Sequence, residues 1–555
     1  MIKINIDDFS AGCCMYSEVF SVALAGLEAC IVRVETDAGN GLPCFEMSGY
    51  LAAQVREAKE RVRVAIKNSG VVLRPQKLMI NISPADIRKA GTGFDLPIAV
   101  GILAANGFIE PQALDSTVVL GELSLDGRIN GIHGILSCVV HARESGFKRC
   151  IIPEYNLDEG ALVDGVEVMG TENVAQLISF FKGETRLRTA AESGASAFAP
   201  VCRPDLCSGD FSDICGQQAA KRATLAAVCG NHNIIYIGPP GSGKTMLAER
   251  IPGIMPKLYR DEQLELTRIY SAAGRLKGAG LITQRPFRCP HHSISKAGLL
   301  GGGALPIPGE ITLASKGVLF MDEFTEYPAA LIESLRMPLE ERVIRIVRNG
   351  RDYIYPADFM LAAAMNPCSC GYYPDRQRCR CSEAQVRRYF GKISRPIWDR
   401  FDMCVHVDGV GAEAVSAEFA SGEVVSAESV SAEADPDESV SVDTGKSCGE
   451  YTSDNMRIVV NRTRDIQRRR FDGEGIEFNS QMSAAQIKRY CVLGESERRM
   501  LELVCEKFKF TARGCHKLLK TARTIADMEE ADNISVKHLS EAASYRCIER
   551  YDYEG

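Results

Sequence analysis

The chain has 555 residues, 45% hydrophobic and 25% charged, which suits about two to four packed globular domains. It has no run of about 18 apolar residues, which speaks against a membrane span, and its opening MIKINIDDFSAGCC lacks the basic and apolar regions of a secretory leader. A cytoplasmic protein is expected, its 21 cysteines read as reduced thiols rather than a disulfide framework.

The net charge of −7 is unevenly held. Residues 411–446 carry nine acids, one lysine and a single aromatic, Phe419, in loose repeats of Val-Ser-Ala-Glu. The rest of the chain is therefore about +1. Such a segment buries too little apolar area to offset its ordering entropy, so a disordered acidic insertion is expected there.

Residues 1–182 alternate strand and helix signals. A helix is predicted from Val55 to Asn68, with Val55, Ala58, Val62, Ala65 and Ile66 on one stripe. Strands at Leu78–Ile82 and Val118–Leu120 flank a second apolar helix, Leu96–Ala105. Residues 183–209, rich in Ala, Ser, Gly and Pro, read as a linker.

The second part, 210–410, carries the chemistry. From Ile234 the sequence IIYIGPPGSGKT is an apolar strand running into a glycine-rich loop. Gly238, Pro239, Pro240, Gly241, Ser242, Gly243, Lys244 and Thr245 match G-x-x-x-x-G-K-[ST]. Backbone N–H groups of such a loop cradle phosphates, and the dipole of the helix that follows assists them. Lys244 reaches the β- and γ-phosphates and Thr245 offers its hydroxyl to Mg²⁺, so ATP with Mg²⁺ is the expected ligand. Downstream, Gly317 to Glu323 reads as a buried strand ending in two carboxylates. Asp322 would hold Mg²⁺ through water and Glu323 would polarise the attacking water. A third strand, Met360 to Met365, ends at Asn366, which either orients that water or simply opens the Asn-Pro turn.

Between these strands, residues 342–355 alternate around Asn349-Gly350, a strong hairpin signal. Arg345, Arg348 and Arg351, interleaved with Tyr353 and Tyr355, suit a nucleic-acid backbone and its stacked bases; a hairpin that only packs against a neighbouring subunit is the alternative. Cys368, Cys370, Cys379 and Cys381 fall within fourteen residues and can close a tetrahedral Zn²⁺ site, with free thiols or a redox pair as the other readings. His291-His292 has no matching downstream pair and reads as local structure beside the site. The third part, 447–555, is helical: Asn455–Phe471, Ala484–Cys491, Glu495–Phe508, Ala512–Met528 and Val536–Arg546.

Several stretches carry a family resemblance: DFSDICGQ from Asp210, the phosphate loop, RPFRCPHHSIS from Arg285, PGEITLASKGVLFMDE from Pro308, LAAAMNPCSCGYY from Leu361, DRFD from Asp399 and ARGCHKLLKTARTIAD from Ala512. Together with GLPCFEMSGYLAAQVREAKERVRVAIKNSG in the first part, they resemble the YifB/ComM family of the magnesium-chelatase-like AAA+ ATPases. The implied fold is an α/β multidomain chain. It has an N-terminal α+β domain like the Lon protease domain and ribosomal S5, a central AAA+ P-loop domain and a C-terminal helical lid. The resemblance makes Arg400 an arginine finger acting on a neighbouring subunit's nucleotide, and Arg513 the lid's sensor arginine, with Arg523 as rival. A finger in trans requires a ring, so a homohexamer is implied. The positions matching the Lon nucleophile and base are Gly93 and Leu136, while Ser124 and Lys89 stand elsewhere, so no peptidase activity is expected. The family implies a DNA motor, with branch migration or helicase activity in recombination or natural transformation. An ATP-driven protein-remodelling scaffold is the alternative, and a magnesium-chelatase motor subunit is disfavoured by the N-terminal domain.

Overall fold

In the computed structural model, which describes residues 16–192, 209–276, 280–303, 306–348, 350–409 and 451–546, the strand signals of the first part assemble into one eight-stranded mixed sheet. The acidic segment 411–446 lies outside the described residues. Tyr16–Ala25 and Glu28–Gly39 pair antiparallel from Tyr16↔Asp37 to Ala25↔Glu28, around Gly26 at φ +71°, the positive φ that a two-residue hairpin turn demands. Helix Ala53–Asn68 buries the predicted stripe of Val55, Ala58, Val62, Ala65 and Ile66. Helix Asp95–Ala105 is buried all round, its Asp95 carboxylate held by Arg61 at 2.8 Å. The predicted strands are present as Lys77–Ser83 and Thr117–Val119. Arg188–Thr189, inside the stretch read as linker, pairs antiparallel with Glu167–Thr171 and so extends the sheet edge.

The central sheet has five strands, all parallel and almost wholly buried. Across it lie Phe287–Arg288, Val318–Met321, Met360–Met365, Ile234–Ile237 and Met403–His406. Parallel strands need crossover connections, and their two-sided burial explains why they read as continuous apolar runs rather than alternating ones. This order puts the tips of Ile234–Ile237, Val318–Met321 and Met360–Met365 side by side at one sheet edge, where ligands of such sheets bind.

The helical part follows expectation within a few residues at its ends: Ser453–Arg470, Ala484–Tyr490, Glu495–Lys507, Ala512–Met528 and Val536–Ser544. It shares one apolar core with the central sheet, joining Met456, Leu518 and Ile525 to Ile234, Met360 and Met403. Polar ties reinforce the joint. Arg222 pairs with Glu541 at 2.8 Å and Glu529 at 2.9 Å, and Asp402 pairs with Lys517 at 2.9 Å. No helix among the described residues is long and apolar enough to cross a membrane.

Candidate nucleotide site

The loop after Ile234–Ile237 folds as it does because of its glycines. Gly241 and Gly243 take φ of +75° and +87°, and a Cβ at Gly238 would collide with the Val407 carbonyl oxygen. Helix Lys244–Ile254 starts at the lysine itself. Lys244 Nζ donates to Gly238 O at 2.8 Å, Pro239 O at 2.7 Å and Asn366 Oδ1 at 3.3 Å. Burial holds its pKa below the usual lysine value, with Asp322 opposing that shift. Thr245 Oγ1 donates to Asp322 Oδ2 at 2.9 Å, so the two predicted Mg²⁺ residues share one corner. Ser242 Oγ is buried without a hydrogen-bond partner among the described residues, a donor that a phosphate oxygen would satisfy.

Glu323 sits one residue past Asp322 at φ +48°, which turns its exposed carboxylate out of the strand line. His292 Nδ1 lies 3.9 Å from Glu323 Oε2, and His291 stacks on His292 with ring centroids 4.0 Å apart. The histidine pair is thus local structure beside the strand tips. Lys244, Asp322, Glu323 and Asn366 line one cavity of about 370 Å³. Gln385, Arg388 and Lys392 line it too, and none of them was picked out from the sequence. Gln385, Arg388 and Tyr389, at i, i+3 and i+4, share one face of helix Glu383–Phe390, a legible helical spacing, and Lys392 follows two residues past its end.

The remaining predicted residues sit apart. Arg400 donates to Glu340 at 2.6 Å, and its Nε is buried without a partner among the described residues. Arg513 is exposed in the first turn of Ala512–Met528. Its rival Arg523 is buried, bonding Asp527 at 3.0 Å and Asp532 O at 2.8 Å. Those donors hold the helix end, which removes Arg523 as a nucleotide contact. The thiols of Cys368, Cys370, Cys379 and Cys381 gather within 4.8 Å of one another. Cys368 Sγ stands 3.3 Å from Cys370 and 3.7 Å from Cys379. A tetrahedral zinc with Zn–S of about 2.3 Å sets its sulfurs about 3.8 Å apart, so the set fits that ion without large movement.

The hairpin forms from Val343–Arg348 and Arg351–Pro356, paired Arg348↔Arg351. Its residues divide. Arg345 and Arg348 are exposed, whereas Tyr355 is fully buried, its hydroxyl donating to Pro306 O at 2.6 Å. Tyr353 and Tyr355 pack on Gly26 of the first hairpin turn, and Arg351 contacts Cys30 at 3.8 Å. The expectation of two stacking tyrosines is therefore corrected: tertiary packing has claimed Tyr355. In the first part, Lys89 is buried and donates to Pro84 O, while Ser124 bonds Asn130 at 3.2 Å.

A phosphate loop at the edge of a buried parallel sheet, with a carboxylate-tipped strand one place removed across Met360–Met365, defines a P-loop ATPase of the AAA+ kind. Residues 210–415 match the family model of magnesium chelatase, subunit ChlI. Residues 34–156 match that of subunit ChlI of Mg-chelatase and 450–546 that of the ChlI C-terminal region. Over 96% of this chain it is 35% identical to competence protein ComM of Haemophilus influenzae, covering 97% of that protein. It is 36% identical to YifB of Salmonella typhimurium, again over 96% of this chain and 97% of the relative. A shorter likeness, 30% over 205 residues, is to Lon protease 2 of Bacillus subtilis, covering 32% of this chain and 36% of that one. The chain belongs to the ComM/YifB family of magnesium-chelatase-like AAA+ ATPases.

Proposed function

We propose that this chain hydrolyses ATP to drive a cytoplasmic ring motor on DNA, moving branched or single-stranded substrates as in branch migration. The observation that carries the ATPase half is the single cavity joining Lys244, Asp322, Glu323 and Asn366. In this reading the phosphate loop holds the triphosphate and Thr245 with Asp322 holds Mg²⁺. Glu323 activates water and Asn366 orients it. Residues 210–410 form the motor, 447–555 the lid with Arg513, and 1–182 an inactive Lon-protease-like domain. Arg400 serves the neighbour's nucleotide in a homohexamer, leaving Glu340 when subunits meet. The four-cysteine cluster holds a structural Zn²⁺.

The DNA half rests on exposed Arg345 and Arg348 at the hairpin tip, beside Val347 at 69% exposure, and on the competence relative. The packing of Tyr355 and the Arg351–Cys30 contact favour a second reading, an ATP-driven remodelling scaffold whose hairpin serves subunit contact. ATP-dependent strand displacement on a synthetic three-strand DNA junction separates the two. Displacement by wild type but not by Lys244→Ala supports the motor. An active ATPase that neither displaces strands nor responds to DNA supports the scaffold.

A further inference from the structure

Between Asn366 and Arg400 the chain makes the four-cysteine knot and then helix Glu383–Phe390. The knot rests on the phosphate loop. A Cβ on Gly371, whose φ is +87°, would lie 2.7 Å from Pro240 Cδ, and Ser369 lines the nucleotide cavity. Cys381, the last thiol of the knot, is followed at once by the helix N-cap, Ser382. Ser382 Oγ accepts from Gln385 N at 3.3 Å and Ser382 N donates to Gln385 Oε1 at 2.9 Å, a reciprocal capping box. The start of this helix is therefore fixed to the knot, and its inner face is fixed to the cavity.

The two cations that line the cavity here, Arg388 on the helix and Lys392 just past its end, differ in their partners. Lys392 is engaged by Thr325 O at 3.3 Å and Glu326 at 3.4 Å. Tyr389 accepts from Thr325 Oγ1 at 2.6 Å. Arg388 has no ion-pair partner among the described residues, although the cavity it lines also holds three carboxylates, Asp322, Glu323 and Glu326. Mg²⁺ would claim Asp322, water activation Glu323, and Lys392 already claims Glu326. Arg388 is exposed at the rim of the cavity that Lys244 also lines, and a guanidinium left over there matches a polyanion, since its planar fork meets two phosphate oxygens at once.

We propose that Arg388 is a catalytic phosphate contact supplied by the same chain that holds the nucleotide, on a helix that Zn²⁺ in the cysteine knot pins against the phosphate loop. The inference rests on the nucleotide reading of the cavity. Charge grows on the γ-phosphoryl oxygens as the bond to the leaving group breaks, so a fixed cation there lowers the barrier more than it tightens binding. Arg387, exposed as Arg388 is, does not line the cavity and serves as an internal control.

The test uses the full chain, with ATP binding followed by calorimetry, steady-state ATPase, and metal content by plasma mass spectrometry. Protein purified without added metal should carry about one zinc per chain. Arg388→Ala should keep its zinc, bind ATP within about threefold of wild type, and lose about a hundredfold in kcat. Arg388→Lys should recover part of that loss, and Arg387→Ala should behave as wild type. Cys379→Ser should lose zinc and fall to a kcat near that of Arg388→Ala. Wild-type kcat and KM in Arg388→Ala overturn the contact. Zinc-free wild-type protein with full turnover overturns the tether. Wild type that binds no ATP would sink the nucleotide reading and this inference with it, whereas failure of Arg388→Ala to respond leaves that reading standing.

Discussion

Lys244 donates to Gly238 O, Pro239 O and Asn366 Oδ1, and bound phosphates would compete for those same donors. Asn366 therefore touches Lys244 of the loop directly, which favours the proposed water-orienting role over a bare Asn-Pro turn. At this scale two substitutions separate binding from turnover. Glu323→Gln keeps the shape of the site but removes the proposed base, so ATP affinity should hold while turnover falls by at least about a hundredfold. Arg400→Ala should likewise spare binding and cost on the order of a thousandfold in turnover, if it completes a neighbour's site. Nucleotide-binding and ATPase assays on both variants check this. Full turnover from Arg400→Ala would leave that side chain as nothing more than the partner of Glu340.

The hairpin Val343–Arg348/Arg351–Pro356 is the element on which the two functional readings divide. One end is anchored: Arg342 bonds Asp358 at 3.2 Å and Phe359 O at 2.8 Å. Its tip keeps Arg345 and Arg348 in solvent. Replacing Arg345, Arg348 and Arg351 together by alanine should leave the anchor and the basal ATPase intact. If the tip tracks a single strand, the salt dependence of DNA affinity should flatten by a slope of about two. An unchanged slope, measured by fluorescence anisotropy across salt concentrations, would assign the tip to subunit packing. The hairpin itself was legible in the sequence because alternation and Asn-Gly are local signals. The loss of Tyr355 to the core was not, because its partners stand more than three hundred positions away at Gly26 and 49 positions away at Pro306.

At the scale of the whole molecule, the joint between the central sheet and the C-terminal helices depends on Asp402. Burial pushes this carboxyl's pKa up, but Lys517 and the His232 ring outweigh that and hold it well below the carboxylate range. The group also accepts from Asn233 N at 3.0 Å. Its pKa is depressed on folding, so its stabilising contribution is present above the unfolded value of about 3.9 and fades as pH falls below that. Asp402→Asn should therefore cost about 3 kcal/mol near neutral pH, because it strands the Lys517 charge. The gap between variant and wild type should close as the medium becomes strongly acidic. Denaturant unfolding followed across pH checks this, and a gap that is constant with pH would mean the carboxylate charge is not what holds the joint.

By itself the sequence determined the phosphate loop, the carboxylate-tipped strand, the helical C-terminal part and the family. Each of these is written in neighbouring residues: positive-φ glycines before Lys-Thr, an apolar run ending in Asp-Glu, apolar stripes at helical spacing. Tertiary structure alone decided which distant residues meet. The strand order brings Asn366 to Lys244 across 122 positions. The fold gathers four thiols into one cluster and lines the cavity with Arg388, about 140 positions after Lys244. The fold also brings Lys517 of the C-terminal helices to Asp402 of the central part, more than a hundred positions away. Local patterns encode backbone conformation, whereas these pairings depend on how separate elements bury their apolar faces against one another, and no short window of sequence records that.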